Sequence, residues 1–595
     1  MTADPRAEYS RRIDRWNSEI ARADRAHRVM ANARLVVAAA TAVLAWQAFV
    51  SHRVGPAWPL LSVAGFVVLA IFHARVFARL EHARRARQLY ERGIARLDAT
   101  WAGSGPDGAR FLDDAPFAHD LDLFGPASLF QLLDTARTQA GEEMLAAWLC
   151  AGAEIDEIRA RQDAVAELSP RVEFREDLAV LAAESSVGRT GALMEWAASP
   201  PVGLSRVHAV IFAASAVMSL SLVVLVGMER IPSEVLLLWI LVQSSLVGIW
   251  RGRISAAVAR IEVADHDLGL MSALLERIER EPVVSPRLAA VRAALLVEGS
   301  SPSRRIAALR RLVSWLDQAT LNLWFRPIGA LLLVRSQMAI AIDRWHAVHG
   351  PTIPTWLRAI GEYEAFSAFA TYSYEHPADP FPTLVDEGPV FHSTSLGHPL
   401  IAERTGVRND VSLGGPSPCA LIVSGSNMSG KSTLLRAVGV NAVLAMAGAP
   451  VRAAGLTLSP LAIGTTLRID DSLAAGHSRF YAEILRVRGI VDLARGPRPV
   501  LFLLDEILGG TNSYDRRIGA EAIVRTLVEA GAIGLITTHD LALTELASKL
   551  DQRVANVHFE DRIENGRMVF DYRMRPGVVE RSNALALMRA VGLDV

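Results

Sequence analysis

Four long apolar runs interrupt an otherwise polar, arginine-rich chain. They are LVVAAATAVLAWQAFV (35–50), WPLLSVAGFVVLAIF (58–72), VHAVIFAASAVMSLSLVVLVG (207–227) and EVLLLWILVQSSLVGIW (234–250). A helix needs about 20 apolar residues to cross a bilayer, with about 17 as a working minimum. The third run meets this length, the fourth just does, and the first two need their flanks. Because short links join the runs in pairs, the pattern predicts two transmembrane helical hairpins, with buried core helices of a soluble domain as the alternative.

The distribution of arginine predicts how these hairpins are oriented. Arg206, Arg251 and Arg253 flank the second pair, whereas the short links carry only Arg53 and Arg230. The segments before the first run and after the second are also basic. Since positive charge stays on the cytoplasmic side, we expect a multi-pass inner-membrane protein. Its amino terminus and everything after the second hairpin should lie in the cytoplasm.

Two further regions have helical patterns. Residues 117–200 are polar, and 254–370 carry apolar residues every three or four positions, as in amphipathic helices. The partly apolar stretch WFRPIGALLLVRSQMAIAI (324–342) is interrupted by two arginines and Pro327. We interpret it as a core helix broken near the proline, with a fifth membrane span as the alternative.

From about residue 380 the pattern changes to short β-branched runs that alternate with helices. ALIVSG, VLFLLDE and IGLITTHD are examples, and this alternation is typical of a parallel α/β sheet. Asn565 and Gly566 lie between two strand-like runs, which predicts a β-hairpin.

Charge and cysteine content give weaker indications about DNA binding and the redox compartment. The chain has 62 basic and 63 acidic residues, and 51% of its residues are hydrophobic. Nucleic-acid-binding proteins often show a basic excess, so this balance argues mildly against a role on DNA alone. Cys150 and Cys419 lie far apart, indicate no disulfide framework or metal cluster, and fit a reducing compartment.

A phosphate-binding loop follows the predicted strand ALIVS (420–424). The loop GSNMSGKST gives the predicted nucleotide-binding residues, which are Gly425, Ser426, Asn427, Met428, Ser429, Gly430, Lys431, Ser432 and Thr433. Backbone N–H groups of such a loop and the positive end of the following helix bind phosphates. Lys431 should reach the β- and γ-phosphates, and Ser432 should hold Mg²⁺. The predicted ligands are therefore ATP and Mg²⁺.

Acidic residues end the next buried run. PVLFLLDE places Asp505 where it can bind Mg²⁺ and Glu506 where it can activate water as a general base. ITTHD places His539 at the same edge of the sheet, where ligands bind in such folds. His539 is predicted to sense the γ-phosphate through a water, with a hydrogen-bonded loop histidine as the alternative.

As a set, these segments resemble the MutS family of mismatch-repair ATPases. The similar segments are GSNMSGKST, DDSLAAGHSRFYAEI (470–484), DEILGGTNSYDR (505–516), TTHD, GHPLI (397–401), NDVSL (409–413), YRMRPGVVERSNAL (572–585) and, upstream, DLDLFGPASLFQLLDTARTQAGEEMLAAWL (120–149) with EIRARQDAVAEL (157–168). The resemblance implies an α/β P-loop NTPase domain of the ABC-like MutS type. It also implies an all-α core and lever domain, here carrying the transmembrane hairpins.

The resemblance further implies a homodimer with two composite ATP sites. Ser478 of one subunit would approach the γ-phosphate bound by the other, while Phe480 packs. Thr511, Asn512 and Asp515 would line the subunit boundary.

Three positions depart from the family's pattern. Ser426 stands where proline is usual and Ser429 where glycine is usual, which leaves binding feasible but puts the rate in doubt. Arg479 replaces a small residue. It would either act in trans like an arginine finger or face solvent.

These observations predict the organisation of the whole chain. It is a cytosolic basic helix over 1–34, a first transmembrane hairpin over 35–76, a helical linker over 77–116, a core-like segment over 117–206, a second hairpin over 207–250, a helical lever over 251–375 and an ATPase domain over 380–595. We expect a membrane-anchored ATPase that dimerises on ATP and binds DNA in repair or recombination. Mismatch specificity is doubtful, because no domain with a Phe-x-Glu reading finger is recognisable. A membrane mechano-ATPase acting on a protein or lipid, without DNA, is the alternative.

Overall fold

The structure is a computed structural model that describes residues 4–183, 190–258, 261, 265–296, 301–322, 325–468, 479–509, 511–564 and 567–579. The chain divides into two compact units, Met1–Ser104 and Gly105–Val595.

The first unit is a helical hairpin of α1 (Pro5–Phe49) and α2 (Ala57–Leu97). Asp4 begins α1 by accepting a hydrogen bond from the Arg6 amide. In the polar halves, the Tyr9 and Tyr90 rings pack with centroids 5.3 Å apart. In the apolar halves, large side chains face outward. The predicted basic helix and the first apolar run therefore lie on one continuous helix.

The second unit begins with helices. Their bounds are α3 (Leu129–Leu133), α4 (Gln139–Cys150), α5 (Ile155–Leu168), α6 (Val172–Ala182), α7 (Thr190–Ala198), α8 (Arg206–Gly227), α9 (Ser233–Val258), α10 (Asp265–Arg280), α11 (Pro286–Leu295), α12 (Pro302–Leu321), α13 (Arg326–Leu331), α14 (Val334–His349) and α15 (Ile353–Glu375). Helix α15 is buried along nearly all its length and contacts α3 to α7, α10 and α11. It is the central element of the helical core.

Two sheets and their helices follow. The strands are β1 (Thr383–Leu384), β2 (Val390–Leu396), β3 (Asn409–Gly414), β4 (Ala420–Ser424), β5 (Gly455–Leu458), β6 (Ala462–Thr466), β7 (Val500–Leu504), β8 (Ile533–Thr538), β9 (Val554–Glu564) and β10 (Arg567–Pro576), and the helices are α16 (Lys431–Ala447), α17 (Arg479–Ala494), α18 (Ser513–Glu529) and α19 (Leu546–Lys549). Among the described residues, one sheet has the order β1-β5-β2-β3 and the other β10-β9-β4-β8-β7-β6.

The larger sheet brings three chain segments to one edge. Strands β4, β7 and β8 are buried at every position and pair in parallel in the order β4-β8-β7. Near-continuous apolar runs of this length are typical of parallel strands covered on both faces. Because the strands are parallel, the residues that follow Ser424, Leu504 and Thr538 meet at the same carboxyl edge. Strands β9 and β10 pair antiparallel on either side of the predicted turn, whose Asn565 and Gly566 lie outside the described residues.

The second apolar pair forms α8 and α9. Among the described residues, four helices are long and apolar enough to cross a membrane, namely α1, α2, α8 and α9. The apolar window of α9 is 6% buried and that of α8 is 22% buried. Inside the α8–α9 pair, Trp239 Nε1 and Gln243 Nε2 donate to Ser219 Oγ at 2.9 and 3.0 Å. The inner faces therefore carry the polar contacts and the outer faces are apolar.

The stretch 324–342 does not form one continuous helix. Pro327 lies in the first turn of α13, where proline is tolerated. The break follows at Leu333, whose φ of 52° is left-handed. The helix is thus broken, as expected, but by a left-handed residue after the proline and not by the proline itself.

A buried aspartate joins the helical core to the sheet. Asp120 accepts hydrogen bonds from Thr465 Oγ1 at 2.7 Å and from the amides of Leu467 and Arg468 at 3.0 Å. The guanidinium of Arg486 on α17 donates to the same carboxylate at 3.1 Å. Asp120 therefore fixes the end of β6 and helix α17 against the core.

Candidate active site

The glycine-rich loop joins β4 to the amino terminus of α16. Gly425 has a φ of 149° and Gly430 a φ of 104°, values that favour glycine. A Cβ on Gly425 would lie 2.9 Å from Ser429 Oγ, so the loop closes tightly there. The first turn of α16 contains no acidic residue. Its amides have no acceptor within the helix, so this end of α16 suits an anion.

Lys431 lies under this loop. Its Nζ donates to the carbonyls of Gly425 at 2.8 Å and Ser426 at 3.0 Å, and lies 3.9 Å from Glu506 Oε1. Burial lowers the pKa of Lys431, and the nearby carboxylates of Glu506 and Asp505 oppose this shift. The ammonium group is thus held inside the loop beside the acidic pair.

Asp505 connects the loop to the neighbouring strands. Ser432 Oγ donates to Asp505 Oδ2 at 2.6 Å. On the other side, the Thr537 hydroxyl of β8 donates to Asp505 Oδ1, while Thr537 Oγ1 accepts from the Glu506 amide at 3.0 Å. One threonine therefore orients both acidic residues.

The backbone after β7 is strained. Glu506 and Leu508 have φ values of 48° and 56°, which non-glycine residues rarely adopt. The Leu508 amide donates to the Glu483 carboxylate of α17. Arg516 of α18 donates to the carbonyls of Leu508, Gly509 and Thr511, each at 3.2 Å. Such strain persists only when the surroundings fix it, so these contacts hold the Glu506 side chain toward the loop.

His539 lies at the outer rim of the same edge. Its Nδ1 is 3.6 Å from Glu506 Oε1, and its Nε2 is 3.5 Å from Arg516 Nη1. The side chain is 54% exposed, so it can meet a ligand or water that enters the site.

A cavity of about 490 Å³ opens beside the loop. The residues that line it include Lys431, Ser432, Glu506, His398 and Tyr572. Burial, with Arg436 nearby, lowers the pKa of His398 to about 4, so this imidazole is neutral near pH 7. The cavity volume falls within the range typical of small-molecule sites.

The residues present fit ATP and Mg²⁺. The Ser426 and Ser429 hydroxyls are buried and, among the described residues, have no hydrogen-bond partner, as expected where a polar ligand is to supply one. Ser432 and Asp505 offer the hard oxygen donors that Mg²⁺ prefers. Asn427, Met428 and Thr433 are exposed at the mouth of the loop.

Some predicted residues are brought together and others are not described. Lys431, Ser432, Asp505, Glu506 and His539 meet at one edge. Ser478 lies outside the described residues, as does the side chain of Arg479.

The predicted boundary residues make contacts within their own chain. Asn512 caps α18 by accepting from the Asp515 amide at 2.9 Å, and its amide group donates to the Asp515 carboxylate. Sequence reasoning did not identify Thr537, Arg516 or Glu483 as site residues. For Thr537, the available signal was its position as the first threonine of ITTHD, near the end of a predicted strand.

The carboxy-terminal part of the chain, which holds this site, is similar to known proteins. Residues 421–594 match the family model of MutS domain V. The DNA mismatch repair protein MutS of Geobacillus kaustophilus is 31% identical over 271 residues, which cover 43% of this chain and 29% of that protein. The proteins of the same name from Shouchella clausii and Methanosarcina mazei are both 34% identical, covering 39% and 33% of this chain and 27% and 22% of theirs.

The chain thus spans less than a third of the length of these relatives. The matched region contains Lys431, Asp505, Glu506 and His539. The residues that build the site therefore lie in a region that matches MutS domain V and is similar to part of the MutS mismatch repair proteins.

Proposed function

We propose that the chain is a Mg²⁺-dependent ATPase, anchored in the inner membrane by α1, α2, α8 and α9, that pairs with a second copy on binding ATP. The observation that carries the ATPase proposal is the Ser432–Asp505 hydrogen bond of 2.6 Å beside the Lys431–Glu506 pair. Strands from three separate parts of the chain are needed to bring these groups together. The exposed apolar faces of the four helices support the membrane location.

Each residue has a distinct task in this proposal. Lys431 and the first-turn amides of α16 bind the phosphates, and Ser432 with Asp505 would hold Mg²⁺. Bound Mg²⁺ would neutralise charge on the β- and γ-phosphates. Glu506 accepts a proton as the water oxygen bonds to the γ-phosphorus and the bond to the bridging oxygen breaks. His539 orients that water, and ADP leaves with the electron pair.

ATP-driven pairing rests on the family resemblance. Ser478 of a second copy would contact the γ-phosphate, and hydrolysis would release the pair. Size measurement of the Glu506→Gln protein in detergent, with and without Mg·ATP, tests this step. Pairing only with Mg·ATP supports it, and an unchanged mass contradicts it.

The proposed partner is DNA, in a role related to repair or recombination. The named relatives are DNA mismatch repair proteins. The test is the ATPase rate with no DNA and with homoduplex, mismatched and branched DNA, together with DNA binding at several salt concentrations. Phosphate contacts must weaken steeply with salt, so salt-dependent binding that changes the ATPase rate supports a role on DNA.

A membrane mechano-ATPase without DNA is the second candidate. It is favoured by Asp343 of α14, whose carboxylate accepts from the Val202 and Leu204 amides at 2.7 Å, directly before α8. This contact ties the helical core to the base of the α8–α9 pair. An ATPase that ignores every DNA form would favour this candidate.

A further inference from the structure

The second apolar pair contacts a helix break in the helical core. Gln243 Nε2 on α9 donates to the Leu331 carbonyl at 3.1 Å, at the end of α13. Gln243 is 4% exposed, so this contact is buried between the helices. The α13–α14 junction therefore lies beside the part of α9 that carries Gln243.

The sequence of α9 gives the depth of this contact. Gln243 is nine residues after Glu234 and eight before Arg251. At 1.5 Å per residue, it lies about 13 Å and about 12 Å from these charged residues, near the middle of an apolar layer about 30 Å thick. If α9 crosses a bilayer, the α13–α14 junction reaches well into it.

The break has the chemistry required of irregular backbone at that depth. Two carbonyls at the break, those of Leu331 and Leu332, each accept a hydrogen bond from a glutamine amide. Gln243 supplies the first, and Gln337 supplies the second at 2.8 Å. Inside a membrane, backbone outside a regular helix is tolerated only when protein groups satisfy it.

Helices α12 and α14 approach the break as an antiparallel pair. Trp345 Nε1 on α14 donates to the Arg305 carbonyl near the start of α12. At the other end, a Cβ on Gly329 would lie 3.2 Å from the Ala319 Cβ, so small residues bring α12 and α13 close together. The junction is thus the tip of a helical hairpin.

The outer surface of this tip is apolar. The segment PIGALLLV (327–334) is uncharged, with Arg326 before it and Arg335 after it. Ile328 is 51% exposed, and Trp315 on the last turns of α12 is 55% exposed. Arginine side chains next to an apolar segment can extend along it toward the membrane interface, where tryptophan is also enriched.

We propose that the α12–α14 tip is a re-entrant segment that inserts among the acyl chains of the cytoplasmic leaflet beside α8 and α9. This proposal rests on the membrane location proposed for α9. The tip enters and leaves on the same side, so the cytoplasmic location of the ATPase region is preserved. Continuity with the exposed apolar face of α9 favours lipid as its occupant.

Fluorescence quenching tests the proposal on the full chain with Cys150 and Cys419 replaced by alanine. An environment-sensitive fluorophore is attached at Ile328→Cys, and the protein is placed in phosphatidylcholine–phosphatidylglycerol vesicles. Leu241→Cys on α9 is the membrane control, and Val348→Cys, 64% exposed at the end of α14, is the aqueous control. The quenchers are a lipid with a spin label on its acyl chain, and iodide.

The expected result is loss of emission at Ile328 and Leu241 with the spin-labelled lipid, and at Val348 with iodide. Iodide quenching at Ile328 with lipid quenching at Leu241 would overturn the re-entrant tip and leave the membrane location intact. Lipid quenching at neither position would overturn both. A label at Ile328 shielded from both quenchers would show that protein, such as a second copy, covers the tip.

A second variant tests the role of Gln243. Gln243→Leu keeps an apolar side chain of similar length but removes the donor to Leu331. We expect iodide to gain access to the Ile328 label while lipid quenching at Leu241 stays unchanged. Unchanged quenching at Ile328 would contradict the role of Gln243 in holding the tip.

Discussion

Apolar runs of similar composition have opposite environments in two regions of this protein. In the sheet, all five residues of VLFLL in β7 are fully buried, and the strand ends directly before the acidic pair. In α9, Leu237, Leu238 and Leu241 are 63–65% exposed. The difference lies in length and hydrogen bonding. A five-residue run needs neighbouring strands to pair its backbone, whereas a long helix pairs its own and can leave its side chains in lipid. The sheet therefore brings the site residues together, and the proposed role of the hairpin is membrane attachment.

The largest expected effect separates these two roles. Lys431→Ala should weaken Mg·ATP binding by about 100-fold or more, because a buried cation contacting phosphate is lost. Membrane association should not change. Equilibrium binding of a fluorescent ATP analogue measures the first and vesicle flotation the second. Lys549→Ala is the matched control, since its ammonium contacts Glu521 on the surface. Normal ATP binding by Lys431→Ala would contradict the assigned site.

Glu506→Gln tests the chemical step within the sheet region. Removing a general base should lower the hydrolysis rate by about 10²- to 10⁴-fold, while ATP binding persists. A single-turnover assay measures the rate, and Glu529→Gln on the exposed end of α18 is the control. If Glu506→Gln hydrolysed ATP at the normal rate, the general-base assignment would be wrong.

Leu241→Arg should have the opposite effects to Lys431→Ala, with weaker membrane association and unchanged ATP binding. A charge near the middle of a membrane helix costs about 2.5–3.5 kcal/mol of insertion free energy, so less protein should float with vesicles. The fraction that inserts should bind ATP normally. Val348→Arg, outside the apolar helices, should float like the original protein. Equal flotation of both variants would argue against insertion of α9.

Thr537→Val removes the hydroxyl that orients Asp505 and Glu506. Losing the partner of a metal-binding carboxylate typically weakens metal affinity about 10- to 100-fold. The Mg²⁺ concentration needed for half-maximal ATPase activity should rise accordingly. Thr526→Val, on the exposed face of α18, is the matched control. An unchanged Mg²⁺ requirement would remove Thr537 from the site.

The smallest effect concerns the helical core. Burial raises the pKa of Asp134 to about 8 and that of Glu364 to about 7. Below these pKa values both groups keep their protons when folded, whereas they lose them above about pH 4 when unfolded. Stability should therefore fall as pH rises from about 4, up to about 7 for Glu364 and about 8 for Asp134. The slope is up to about 1.4 kcal/mol per pH unit for each group. Denaturant titrations between pH 5 and 8.5 should show it.

Asp134→Asn cannot titrate and should reduce that slope. Exposed Asp113→Asn should not change it. A slope that is the same in all three proteins would show that Asp134 is charged in the folded state.

The predictability of each region follows from the range of its contacts. The loop at Gly425–Thr433 and the pair Asp505–Glu506 are contiguous in sequence, and the short apolar runs before them predict parallel strands. Thr537 was not identified, because its contact with Asp505 depends on β8 lying between β4 and β7. The same holds for Asp120, which reaches the end of β6 from a distant part of the chain.

In the helical region, periodicity predicts helices but not their joints. The polar segment before Leu35 continues into the first apolar run as one helix, α1. The break near Pro327 falls at Leu333, because proline is accommodated in a first helical turn. The contacts of Gln243 and Gln337 with the carbonyls at that break depend on the fold and are not indicated by periodicity.

The central claim is that Lys431 binds the phosphates of ATP, and the composition of this chain allows a direct test. Lys431 and Lys549 are its only two lysines. An acyl-phosphate derivative of ATP transfers its acyl group to a lysine next to the bound phosphates, and mass spectrometry identifies the modified residue. The account predicts modification of Lys431, prevented by excess Mg·ATP, with Lys549 unmodified. Equal modification of both lysines, or no protection by ATP, would contradict it.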